Sequence, residues 1–266
     1  MTRPESPIIK PPPEGEERYR MSVAYDGLPF RGFAKNPGVE TVEGLLLESI
    51  EKVLRVTPVL VCAGRTDAGV HAKAQVISFD AAPFEIPRLQ KALNSLCSPA
   101  VVVTSIEKTE EDFNARFSAI SRTYRYQVLN QENPDPFRSA YSWHVSGKLS
   151  VEAMNLAGSA LIGEHDFSSF CRKRTVEIEG KEIETSLKRE VKELRWEVID
   201  GNGLELWITA SAFCHQMVRS IAGTLIDIGL GKLQDLSISE ILNARDRNKA
   251  GRVAPPYGLT LWEVEY

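Results

Sequence analysis

The chain has 266 residues, and 36 acidic against 32 basic side chains give a formal charge of −4. That balance excludes a protein that coats nucleic acid through bulk positive charge, while leaving room for a local basic cleft. A hydrophobic fraction of 42% excludes wholesale disorder, and the length suits one large domain or two small ones at roughly 100–200 residues each.

No apolar run reaches the roughly 18–20 residues of a membrane helix. The opening MTRPESPIIKPPPEGEE lacks the apolar core of a signal peptide. Cys62, Cys97, Cys171 and Cys214 form no CxxC pair, which fits reduced thiols better than a disulfide framework. The expectation is a cytoplasmic protein with no membrane contact.

Residues 1–17 hold five prolines and several charges and read as a mobile tail. A first strand starts near Arg18, where Tyr19, Met21, Val23 and Tyr25 alternate with Arg20, Ser22 and Ala24; Asp26-Gly27 then turns the chain. The spacing predicts a helix from about Thr41, as N-cap, to Leu54. Short strands follow at Val59–Ala63 and Gln75–Phe79, separated by the polar loop Gly64–Ala72. A second helix opens at Pro87 and carries Leu89, Ala92, Leu93 and Leu96; Ala100–Ile106 is a fourth strand.

The second half reads in the same order. It has a strand over Ser118–Leu129, a helix over Ser150–Ile162, and a hairpin of Lys188–Ile199 with Leu204–Ala210 around Asp200-Gly201-Asn202-Gly203. A longer helix runs over Phe213–Ile228, Ser237 and Glu240 form a capping box for a short one, and Gly258–Val264 is the last strand. The fold class is therefore α+β. Two ferredoxin-like, RNA-recognition-like β-α-β-β-α-β halves, residues 18–118 and 119–266, join in one mostly antiparallel sheet. Helices would cover one face and leave the other, with a central cleft, free for a ligand.

The loop Gly64-Arg65-Thr66-Asp67-Ala68-Gly69-Val70-His71-Ala72 is the most informative stretch. Its G-x-x-x-x-G spacing is not followed by the Lys-Ser/Thr of a phosphate loop. Asp67 and His71 alone do not make a metal site. Two readings of Asp67 remain: an ordinary turn residue, or an ionised carboxylate held on a rigid loop as nucleophile or base. A paired-carboxylate hydrolase has only Glu43 as a nearby second acid, which is weak support.

In Arg122-Thr123-Tyr124-Arg125-Tyr126, alternation places Tyr124 and Tyr126 on one face and Thr123 and Arg125 on the other. These are either core tyrosines beside solvated arginines, or an aromatic platform that stacks an extruded base beside phosphate-binding cations. Cys214-His215 point too far apart on a helix to chelate a metal. Arg219, close to an apolar helix face, either pairs with a carboxylate or snorkels to solvent. His144 and His165 read as structural or solvated.

Taken together, these stretches resemble the tRNA pseudouridine synthase A family over almost the whole chain from about Arg18 to Tyr266. The resemblance is carried by GRTDAGVHA at 64–72, with YDG at 25–27, DFxARFSA at 112–119, RxYRY at 122–126, GEHDFSSF at 163–170, FCHQMVRSIAGTL at 213–225 and APPYGLTL at 254–261. It implies isomerisation of uridine to pseudouridine at nucleotides 38, 39 and 40 of the tRNA anticodon arm, by a homodimer and without a cofactor or metal. By the same resemblance Asp67 is the catalytic aspartate, Tyr124 stacks on the target uracil, Arg65 helps displace the nucleotide, and Arg219 is the arginine that pairs with the aspartate. Gly32-Phe33-Ala34-Lys35-Asn36 stands where many members carry tryptophan and glutamines.

The charge is unevenly spread. Residues 107–112 and 176–184 hold eight acids and two bases. The stretches 114–125, with Arg116, Arg122 and Arg125, 172–174, with Arg172, Lys173 and Arg174, and 245–252 each carry a net charge of +3. The basic stretches are expected along a tRNA-facing cleft, with the acidic ones turned away. A non-catalytic RNA-binding protein would use the same sheet but would not need Asp67.

Overall fold

The computed structural model describes residues 8–172, 175–178, 181–184, 186–199, 202–233 and 237–266. The first seven residues of the expected tail, Lys173, Arg174 and the Asp200-Gly201 part of the expected turn lie outside the described residues. Two compact units form, one comprising Met1–Ile120 with Thr260–Tyr266, the other Ser121–Leu259.

The first unit begins with β1 (Glu17–Tyr25), α1 (Val42–Leu54), β2 (Val61–Cys62), β3 (His71–Ala81), α2 (Ile86–Cys97) and β4 (Val101–Lys108), the β-α-β-β-α-β order read from the sequence. Alternation on β1 buries Tyr19, Met21, Val23 and Tyr25. β1 lies between β3 and β4, antiparallel to both. Thr41 caps α1, its Oγ1 accepting the Gly44 N–H at 3.2 Å, so a single hydroxyl satisfies one of the orphan donors of the first turn. α1 and α2 pack on each other and bury Leu46, Ile50, Leu89 and Leu93. The end of the tail is tied down: Arg18 forms an ion pair with Asp80 at 2.8 Å and donates to the Lys10 carbonyl at 3.0 Å.

β3 carries a bulge that matters for the site. Val23 lies opposite Gln75, but Tyr25 lies opposite Ala72, so three residues of β3 match two of β1. The extra residue reverses which way side chains point on either side of it.

The second unit contains β5 (Ser121–Asn130), β6 (Trp143–Val145), α3 (Val151–Ser159), β7 (Gly163–Asp166), β8 (Thr175–Ile178), β9 (Lys181–Glu184), β10 (Lys188–Ile199), β11 (Gly203–Ala210), α4 (Met217–Gly229) and α5 (Ile238–Ala244). β5, β11, β10 and β7 are neighbours in that order, all antiparallel. β6 adds in parallel to β5, and β8 pairs with β9 as a separate hairpin. The short strands β6 and β7 and the β8–β9 hairpin interrupt the simple repeat read from the sequence. α3 packs on α4 and on β10, where the Asn155 side chain binds both the N–H and the C=O of Trp196, at 2.7 and 3.0 Å. The Ser237–Glu240 capping box is present at α5.

The last strand, β12 (Leu259–Glu265), pairs in parallel with β3, Thr260 opposite His71 and Leu261 opposite Ala72. The chain thus returns to the first unit, whereas the sequence reading kept this strand in a second domain of residues 119–266. α+β architecture with mostly antiparallel strands describes both units.

Candidate active site

The loop carrying Asp67 runs from β2 to β3, and its backbone is fixed at each step. The Ala63 N–H bonds the Val76 carbonyl at 2.8 Å, the Phe33 N–H bonds the Thr66 carbonyl at 3.1 Å, and the Val70 N–H bonds the Asp67 carbonyl at 3.1 Å. Gly69 closes that turn at φ +77°, a left-handed conformation that glycine adopts without strain. Within this frame Thr66 is buried, Asp67 is half-buried and Arg65 is exposed.

The buried side chains Tyr25, Gln75 and His71 support the loop. The Tyr25 hydroxyl lies 2.8 Å from Thr66 Oγ1. The Gln75 amide nitrogen donates to the Gly64 carbonyl at 2.6 Å and lies 3.4 Å from the Tyr25 hydroxyl. Burial pushes the Tyr25 phenol well above its ordinary value, against the opposing hydrogen bonds to Thr66 and Gln75. On the far side, His71 Nδ1 accepts the Gly27 N–H at 3.0 Å, beside the Asp26 carboxylate at 3.1 Å. The Tyr25–Thr66, Gly27–His71 and Gln75–Tyr25 contacts each join positions more than forty residues apart; the YDG and GRTDAGVHA motifs hold most of these residues, but the sequence reading gave Gln75 no role beyond its strand.

The segment Gly32–Asn36 contributes through its main chain. Phe33 takes the Thr66 carbonyl with its N–H and offers its own carbonyl to the Glu43 N–H at 2.9 Å. The Glu43 carboxylate accepts the Lys35 N–H at 2.7 Å, so this acid is engaged in holding its neighbouring loop.

In the second unit, β5 arranges the RxYRY residues as alternation requires. Tyr124 and Tyr126 are buried on one face; Thr123 and Arg125 lie on the other, where Thr123 Oγ1 meets Thr209 Oγ1 at 2.9 Å and Arg125 pairs with Glu205 at 3.1 Å. Burial draws the Arg125 guanidinium below its ordinary value, and Glu205 opposes this. Tyr124 is 8% exposed and meets the Phe213 ring edge-on, with centroids 5.1 Å apart. Tyr126 donates its hydroxyl to the Pro255 carbonyl at 2.8 Å. Arg122, also buried, donates to the Ser211 carbonyl at 2.9 Å.

Helix α4 begins at Met217, four residues later than the sequence reading placed it, because Gln216 takes a left-handed conformation, φ +64°. Phe213–Gln216 is thereby free to leave the helical path. Arg219 lies in the first turn, its Nε donating to the Ala254 carbonyl at 2.8 Å while the Ala254 N–H returns to the Arg219 carbonyl at 3.0 Å. Gly223 allows this contact: a β-carbon there would lie 1.8 Å from the Arg252 carbonyl oxygen. Arg172 is exposed, and its N–H bonds the His215 carbonyl at 3.1 Å. Next to that bond, the Cys171 thiol hydrogen-bonds the Cys214 sulfur; this contact draws the Cys214 thiol down, against burial and with help from Arg189. Among the described residues, no group of three or more His, Cys, Asp or Glu is placed to hold a metal ion, and no helix is long and apolar enough to cross a membrane.

A family model described as tRNA pseudouridine synthase matches residues 157–266. The tRNA pseudouridine synthase A of Bacillus subtilis (strain 168) is 43% identical over 258 residues, spanning 94% of this chain and 99% of its own length. The enzymes of the same name from Bacillus pumilus (strain SAFR-032) and Geobacillus kaustophilus (strain HTA426) are 40% and 42% identical, each over 94% of this chain and over 99% and 95% of their own lengths. Among solved structures, an H/ACA RNP bound to a substrate RNA containing 2'-deoxyuridine overlaps 78% of this chain and 44% of its own, at 12% identity and a TM-score of 0.33, a likeness too slight to bear on the fold.

Proposed function

The chain belongs to the tRNA pseudouridine synthase A family, whose members are isomerases, and on that premise we propose that it converts uridine to pseudouridine at one or more of nucleotides 38, 39 and 40 of the tRNA anticodon arm, with Asp67 as the catalytic carboxylate. The reaction breaks the N-glycosidic bond, turns the uracil and joins its C5 to the ribose. It is redox-neutral, and its atoms balance within one nucleotide, so no cofactor is called for. Chemistry at that bond requires the nucleotide out of the stack.

The observation that carries this reading is the presentation of Asp67. Its loop is fixed through the Thr66 and Asp67 carbonyls, yet the residue itself stays half-buried rather than sealed in the core. A carboxylate acting on a flipped base needs that combination of fixed placement and access. Tyr124 stacks on the extruded uracil, and Arg65 and Arg219 bind the substrate. Arg122, Arg125, Arg172, Lys173 and Arg174 contribute contacts to the RNA, Arg125 with its charge already matched by Glu205. The enzyme acts in the cytoplasm as a homodimer.

The test is tritium release from tRNA carrying C5-tritiated uridine. Asp67→Asn loses release while still binding tRNA; substantial turnover by that variant sinks the assignment. Tyr124→Phe keeps the stacking ring and Tyr124→Ala removes it, so near-normal activity in the alanine variant argues against stacking. Absence of new pseudouridine with the unaltered protein points to a non-catalytic RNA-binding role. Binding weakens steeply with salt if phosphates are contacted.

A further inference from the structure

Gln75, Tyr25 and Thr66 are polar side chains in an apolar setting, with exposures of 0%, 5% and 7%. Burying such groups is unfavourable unless their hydrogen bonds are made. The orientation of the Gln75 amide in this network is fixed by its partners. The Gln75 amide must face its nitrogen to the Gly64 carbonyl, since its oxygen would meet another acceptor there. The same nitrogen then offers its second hydrogen to the Tyr25 oxygen. The Tyr25 and Thr66 hydroxyls then share a hydrogen bond of 2.8 Å, in which either can be the donor. This orientation leaves Gln75 Oε1 buried with no hydrogen-bond partner among the described residues, an arrangement that opposes folding. An apolar trio of similar volume would fill this space without that penalty.

What the arrangement secures is position. It grips the loop at Gly64 and Thr66, on both sides of Arg65 and immediately before Asp67. We propose that Tyr25, oriented by Gln75 and acting through Thr66, is a positioning residue that sets the placement of the Asp67 carboxylate. This rests on the reading of Asp67 as the catalytic group. A displacement of about 1 Å in a reacting group can lower a rate by ~10²-fold, so the loss of one buried tether shows in the chemical step more than in binding.

The experiment measures the single-turnover rate of pseudouridine formation at saturating tRNA, together with the tRNA dissociation constant and the melting temperature. Tyr25→Phe keeps the ring and removes the hydroxyl; Thr66→Val keeps the shape and removes the hydroxyl; Thr66→Ser keeps the hydroxyl. Tyr25→Phe and Thr66→Val are each expected to slow turnover by ~10- to 10²-fold, with tRNA affinity within about twofold, and Thr66→Ser to restore the rate. The double variant loses no more than the worse single one, since both remove the same bond. A folded Tyr25→Phe enzyme with an unchanged rate, multiplicative losses in the double variant, or a loss confined to tRNA affinity would overturn the proposal. If Thr66→Val does not fold, Tyr25→Phe decides alone. Asp67→Asn runs alongside: turnover by that variant removes the catalytic reading itself, whereas an inert Asp67→Asn beside a normal Tyr25→Phe removes only the role of Tyr25.

Discussion

Gly27 lies against the backbone of Val70, so closely that a β-carbon on Gly27 would sit 2.1 Å from the Val70 carbonyl oxygen. The turn after β1 and the far end of the Asp67 loop are therefore in main-chain contact, with the Gly27 N–H on His71 Nδ1 as the adjoining bond. Gly27→Ala forces one of the two to move. Overpacking of this kind is expected to lower stability by about 1–3 kcal/mol and to reduce turnover by more than the stability loss explains. Urea unfolding and pseudouridine formation measure the two effects; wild-type values for both would show that the contact yields freely.

Arg125 and Glu205 form a largely buried ion pair at 3.1 Å, with Gln127 Nε2 also on the Glu205 carboxylate at 3.3 Å. Removing one partner leaves an uncompensated charge. Glu205→Met is expected to destabilise by about 3 kcal/mol, the lower end of the range for buried pairs, because Arg125 keeps some solvent contact. Adding Arg125→Met recovers much of the loss. A denaturant-based double-mutant cycle reads the coupling, and simply additive losses would contradict it.

Tyr19, Tyr25 and Tyr126 titrate late. Burial, with a hydrogen bond to Glu17, raises Tyr19 to about 12, and burial drives Tyr25 and Tyr126 up as well. A phenol whose folded value exceeds its unfolded one contributes stability in full below the unfolded value, about 10. That contribution is lost as pH rises from there through the folded value. The melting temperature is expected to fall as pH rises beyond 10. Tyrosinate absorbance should lack these three residues until the fold opens; their ionisation near pH 10 in the folded protein would refute this.

The cysteines differ in reactivity. Cys214 is drawn down by the Cys171 thiol, while its partner is driven up by the same contact and by burial, and burial raises Cys62 to about 11 and also raises Cys97. Iodoacetamide near neutral pH is expected to label Cys214 first, because the thiolate is the nucleophile. Cys171→Ala removes the donor and slows that labelling. Peptide mass spectrometry follows both, and preferential labelling of Cys62 would contradict the assignment.

Local signals made much of the fold legible. Thr41 before α1 and Ser237 with Glu240 at α5 act within one turn of chain, and both caps form as read. Alternation on β5 sorted Tyr124 and Tyr126 from Thr123 and Arg125 without outside help. Long-range features were not legible. The start of α4 depends on the left-handed Gln216, a conformation that its residue type does not announce. The β3 bulge depends on register with β1, and the parallel pairing of β12 with β3 joins residues nearly two hundred positions apart. At the site, motif chemistry pointed to Asp67, but Gln75 and Phe33 support its loop through contacts that only the folded chain brings together.

Asn155 holds both backbone hydrogen-bonding groups of Trp196 on the side of β10 turned away from β11. The amide acts there as a one-residue strand. An open strand edge is a template on which a second chain can add. Filling its two groups with a helix side chain, next to the charged run Glu193, Arg195 and Glu197, protects the edge against strand addition and thus against aggregation.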